Sequence, residues 1–266
     1  MRGAAALVRA QWLTHTSYRV GVILSFVALA ATIVPVYFIA DALQPVVGTS
    51  IQGEGEQYFG FLVIGLASLY LVGAALTSLP EAVGGGIHSG TLEALFCTPA
   101  SVPAILCGLV GFPLMWAGIR AAILVVMLAA LGGSVVWTGV PLALVATVLT
   151  VLAYGGVGLM AAALVLAFCT AGPLLQGVLA ASSLLGGVYY STTVIPEPFD
   201  ILALFVPLTY GLRLVRRTLL EGAPVGSLVA DGLALGALTA GLLALGALVF
   251  WMALSHSRRS GSLGQY

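Results

Sequence analysis

Apolar residues fill this chain in long runs. A membrane-spanning helix needs about 20 of them in succession. Six runs meet or approach that length: residues 20–40, 58–79, 103–131, 140–168, 174–190 and 227–254. Pro80 is expected to stop the second, and the fifth is short and rich in glycine. The pattern predicts an all-α integral membrane protein with six transmembrane helices in one transmembrane domain over residues 1–266.

The segments between the runs add detail. In residues 1–19, Arg2, Arg9 and Arg19 interleave with Leu7, Val8, Trp12 and Leu13, a pattern suited to an interfacial helix. The run behind it is long enough to span and carries no small-residue cleavage site, unlike a signal peptide. Residues 191–226 are too apolar for a solvated loop. Pro196, Pro198 and Pro207 cut them into pieces too short to cross, predicting an external re-entrant helical hairpin. Gly232, Gly236, Ala240 and Ala244 form a small-residue stripe on the last run, within the chain or across a dimer. Arg2, Arg9 and Arg19 before the first run, with Arg258 and Arg259 in the tail 255–266, place both termini in the cytoplasm of a plasma (inner) membrane. Arg213, Arg216 and Arg217 fall on the opposite side and weaken that asymmetry.

Composition narrows the function. The 266 residues are 61% hydrophobic and 7% charged, far from the roughly 25% charged of a soluble domain. All nine basic residues are arginine, nine acids balance them, and the Ala/Gly/Val/Leu/Arg vocabulary suits a bacterial source. No basic patch exists for nucleic acid. With no lysine the chain cannot carry a Walker A loop, whose Lys reaches the nucleotide phosphates. Cys97, Cys107 and Cys169 are scattered and read as small core hydrophobes. His15, His88 and His256 fall outside the six runs, and no metal-ligand spacing appears. Asp231 stands alone at the edge of the last run. Arg120 is the one charge well inside a run, either snorkelling, paired, or facing an anionic substrate. These features argue against an enzyme, and a driven carrier with one buried charge and no ATPase would need its energy supplied from elsewhere.

The segment His88–Pro99, "HSGTLEALFCTP", suggests how force could enter. The glycines before it permit a sharp turn. Ser89 or Thr91 can cap a short helix of about residues 89–98, on which Leu92, Leu95 and Phe96 share one face. Glu93 and Thr98 lie off that face, and Pro99 ends the helix. Such an apolar knob is a plug for a groove, or packs on the bilayer surface.

"GTLEALFCTPAS", Gly90 to Ser101, resembles the GTLExLxxTP signature of the ABC-2 family of ABC transporter permeases. "GGVYYSTTVIP" and "VPLTYGLRLVRRTLLEG" are similar to that family's region after the fifth span, at Gly187, Val188, Tyr189, Pro196, Pro207, Leu208, Thr209, Tyr210 and Arg213. The resemblance implies that residues 89–98 form a cytoplasmic coupling helix, with Gly90, Thr91, Leu92, Glu93, Leu95, Phe96, Thr98 and Pro99 docking onto a pair of ABC ATPase subunits. ATP and Mg would bind those partners, and this chain would hold no cofactor or metal. It implies a second permease chain, as homodimer or heterodimer, and export of an amphipathic substrate such as a lipid, a lipid-linked glycan or a hydrophobic drug. The path would be lined from the second and fifth spans, with Tyr58, Tyr70, Tyr189, Tyr190 and Arg120 as candidates and Pro196, Pro207, Tyr210 and Arg213 at an external gate. Where the family carries a charged run before GTLE, this chain has Gly86, Ile87, His88 and Ser89. The alternatives are a motor-free channel or carrier, and a scaffold that moves nothing.

Overall fold

A bilayer offers no water to backbone N–H and C=O groups, so long apolar runs have one local solution, the α-helix. The computed structural model describes residues 2–48, 51, 57–91, 101–168, 172–192 and 199–260, with backbone alone at 2–5, 199–200 and 257–260. Its helices are α1 (Arg2–Ser17), α2 (Arg19–Val47), α3 (Tyr58–His88), α4 (Val102–Ala130), α5 (Val140–Phe168), α6 (Gly172–Leu185), α7 (Phe199–Ala203), α8 (Pro207–Leu219) and α9 (Val229–Ser260). Among the described residues, five helical stretches are long and apolar enough to cross a membrane: Arg19–Val47, Tyr58–His88, Val102–Ala130, Trp137–Phe168 and Val225–His256.

α3 is the centre of the bundle. In its most apolar stretch 61% of residues are buried, against 11% in α2. It packs on α2, α4, α5, α6 and α8, while α5 also pairs along much of its length with α9. Small residues permit that pairing. A Cβ on Gly156 would stand 2.5 Å from the Leu242 carbonyl oxygen, and Gly246 faces the backbone of Gly156. Such close backbone approach is a principal source of helix association in lipid.

Several expectations need correction. Pro80 does not stop the second run: α3 continues through it to His88, with Gly84, Gly85 and Gly86 inside the helix. The helix turns at Gly90 instead, at φ +67, where the Gly90 N–H bonds the Ile87 carbonyl at 3.1 Å. Only glycine takes this left-handed C-cap without strain. Ser89 serves the end of α3, donating to the Gly85 carbonyl at 2.7 Å. The fifth run is helical only over Gly172–Leu185, about 21 Å at 1.5 Å per residue. A left-handed turn at Gly187, φ +72, ends the helix where residues 186–190 are expected to continue it. The stripe on α9 does not pack inside the chain, since a Cβ on Gly232 or Gly236 would meet nothing within 4 Å. Cys107 is exposed rather than a core residue. His88 and His256 lie inside the ends of long apolar helices.

α1 is helical as expected and docks on α4. Val8 sits over Gly111, and His15 packs on Trp116 with ring centroids 4.6 Å apart. α8 turns its apolar residues inward: Leu208, Leu212, Val215 and Leu219 are buried against α5, α9 and α3. Pro207 occupies its first turn, where a missing N–H costs nothing.

Candidate functional site

Two polar clusters interrupt the apolar bundle. The first lies at the Tyr58 end of α3. Its centre is Arg216, only 1% exposed and the largest fully buried side chain described. Nη1 donates to the Gly187 carbonyl at 2.9 Å; Nη2 donates to Val188 at 3.0 Å and to Phe61 at 3.1 Å. The guanidinium carbon lies 3.3 Å from the Phe61 ring centroid. Unwinding the chain after α6 frees carbonyls that a helix would have used, and Arg216 collects them. Gly65 makes room: a Cβ there would stand 2.6 Å from the Val188 oxygen and 3.0 Å from Arg216 Nη2.

This cluster joins two of the proposed path residues. The Tyr58 hydroxyl donates to the Tyr189 carbonyl at 2.9 Å, and the Tyr58 N–H donates to Gln44 Oε1 on α2 at 2.7 Å. Tyr189 itself is exposed, while Tyr190 and Tyr210 are half-buried. Arg213 reaches sideways: Nη1 lies 3.3 Å from Asp231 Oδ1 on α9, and Nη2 donates to Thr192 Oγ1 at 3.3 Å. Arg217 Nη1 lies 3.9 Å from Asp231 Oδ2. Asp231 is therefore clamped between two arginines of α8 rather than standing alone. Arg216 is the functional-looking residue missed in the sequence. It falls four residues after Leu212, within the apolar face of α8, and that position marks it as inward-facing.

The second cluster surrounds Arg120, near the middle of α4. Its Nη2 donates to Ser25 Oγ on α2 at 3.2 Å, and its guanidinium lies 5.5 Å from the Trp116 ring centroid. It lines a cavity of about 660 Å³ between α3, α4 and α6, together with Tyr70, Ser78, Glu81 and Gln176. Tyr70 and Arg120 also line an adjoining cavity of about 250 Å³ against α2. Tyr70 and Arg120 thus share one site, whereas Tyr58 and Tyr189 belong to the other. The coupling candidates Gly90 and Thr91 are exposed just beyond α3. Leu92, Glu93, Leu95, Phe96, Thr98, Pro99 and Pro196 lie outside the described residues.

A protein-family model described as ABC-2 type transporter matches residues 7–220. The chain belongs to that family. None of the curated proteins compared with it matches. The ABC-2 match runs from α1 through α8 and contains Arg120, Arg213, Arg216 and Arg217, together with the segment between α3 and α4. The ABC-2 membership and the five apolar helices make this a multi-pass membrane protein of a permease family.

Proposed function

We propose that this chain is the membrane subunit of an ATP-driven exporter. It moves an amphipathic substrate (a lipid, a lipid-linked glycan or a hydrophobic drug) outward across the plasma membrane, paired with a second permease chain. ATP and Mg act on a separate pair of ATPase subunits. The observation that carries this reading is the family match across residues 7–220, which includes all of Gly90–Ser101.

The path of force follows from α3. Residues 89–98 form the cytoplasmic coupling helix, whose Leu92, Leu95 and Phe96 seat in a groove of the ATPase. Closure of the ATPase pair on ATP displaces this segment. Its neighbour α3 is one unbroken helix to Tyr58, so the displacement reaches the opposite membrane face. There Phe61 is bonded to Arg216 of α8, and Tyr58 to the chain after α6. One motion of α3 therefore pulls on both. Residues 191–226 act as the external re-entrant element, α6 with the turn after it completes a sixth crossing, and both termini face the cytoplasm.

The test replaces Leu92, Leu95 and Phe96 with aspartate and reconstitutes the chain with its ATPase. Expected is loss of co-purification and at least a tenfold drop in stimulated ATP turnover, since buried carboxylates cannot fill an apolar groove. Unchanged ATP-driven transport would overturn the coupling assignment. Transport by the wild-type chain without nucleotide or ATPase would instead favour a motor-free carrier.

A further inference from the structure

Arg120 holds a charge that the fold leaves largely uncommitted. A guanidinium has five N–H donors. The described partners of Arg120 are one serine hydroxyl and one indole face, and its Nε has no hydrogen-bond partner. The ion pairs described in the structure use Asp231 and none uses Arg120. A cation at this depth of a helix bundle is costly without an anion or water. Arg216 shows the contrast: three carbonyls converge on it.

The space around Arg120 is shaped for a ligand. The larger cavity, about 660 Å³, is within the usual range for small-molecule sites. Its wall is apolar and aromatic at Leu66, Leu69, Phe112 and Leu179, and it includes Ser78, only 5% exposed, whose hydroxyl has no partner. The acid in that wall, Glu81, lies about 16 Å beyond Tyr70 along α3 at 1.5 Å per residue, so the Arg120 end is the positive one. The smaller cavity continues from Arg120 along Leu24, Ala28 and Leu29 of α2. Leu24 is 64% exposed, so this branch reaches the bundle's apolar flank.

We propose that the two cavities that share Tyr70 and Arg120 bind an amphiphile drawn from the bilayer. Its single anionic group, a carboxylate or a phosphate, sits on Arg120, and its apolar chain lies along the α2 branch. The proposal deepens the transporter reading by naming a charge class for the cargo. Binding is measured without nucleotide or ATPase, so its failure would leave the coupled-transport result standing.

The test places the full-length chain in phosphatidylcholine nanodiscs at alkaline pH, where a fatty acid is ionised. Trp116 borders the site and reports by fluorescence, its signal assigned by difference from Trp116→Phe. The probes are dibromostearic acid and its methyl ester, which differ in charge. The acid is expected to quench Trp116 at about tenfold lower mole fraction than the ester, as one charge-assisted bond implies. Arg120→Gln should erase that difference, and Arg120→Lys should keep part of it. Equal quenching by acid and ester in the wild-type chain overturns the proposal without any variant. Relief of quenching by millimolar inorganic phosphate overturns the bilayer source and makes this a site for free anions.

Discussion

Arg216 and Arg120 are the same residue type in two opposite circumstances. Arg216 is sealed in the bundle and binds three carbonyls, two from the turn after α6 and one from α3. Arg120 is half-buried at the junction of two cavities, with a 3.2 Å bond to one serine. The first arginine is a structural clasp joining α3, α8 and the end of α6. The second is poised to meet something that is not part of the chain. A buried charge in a membrane protein is therefore not by itself a sign of substrate; the number of backbone acceptors around it decides.

The contrast is broken most severely at Arg216. Arg216→Ala would take the guanidinium donors from the Gly187 and Val188 carbonyls in an apolar interior, while the Phe61 carbonyl keeps its bond within α3. At roughly 1–3 kcal/mol per orphaned group, a loss of about 4 kcal/mol is expected, read as a lower thermal unfolding midpoint in detergent. Gly65→Ala comes next, at about 2 kcal/mol, because its Cβ would press on the Val188 oxygen. The matching change in the cavity, Gly73→Ala, should be neutral or slightly stabilising, since a Cβ there meets only Leu179 Cδ2 at 3.9 Å. Asp231→Asn removes a partly exposed ion pair and should cost about 1 kcal/mol or less, with the effect shrinking in high salt. Arg120→Gln should lower stability by no more than about 0.5 kcal/mol, since it removes one serine bond and one indole contact, while altering ligand preference. A large destabilisation by Arg120→Gln would erase the distinction between the two arginines.

Length and hydropathy made the long helices legible. The run 140–168 coincides with α5, and the run 103–131 differs from α4 by one residue at each end. Local breaker rules failed at Pro80 and the three glycines after it. Those rules assume water ready to take freed backbone groups, and inside a packed bundle the helix remains the better solution. Proximity was also beyond reach. Nothing in the sequence pairs Arg216 with Gly187 and Val188, nearly 30 positions earlier, or Arg120 with Ser25, 95 positions earlier. The sequence groups Tyr58, Tyr70, Tyr189 and Arg120 as candidates for one path, whereas the fold puts Tyr70 with Arg120 in one cavity and bonds Tyr58 to Tyr189 in another cluster. Arg213 was chosen for its place in a motif, and its acidic partner on α9 came only with the fold.

The route of α3 through Pro80 has a mechanical consequence. Proline removes the bond to the Leu76 carbonyl, and Gly84, Gly85 and Gly86 follow without side chains to brace the turns. The helix is therefore less braced from Pro80 to Gly86 than from Tyr58 to Leu79. In the coupling proposed above, that stretch would absorb small displacements arriving past Gly90. A stroke would have to exceed its give before reaching Phe61, which would make the helix a clutch with a threshold.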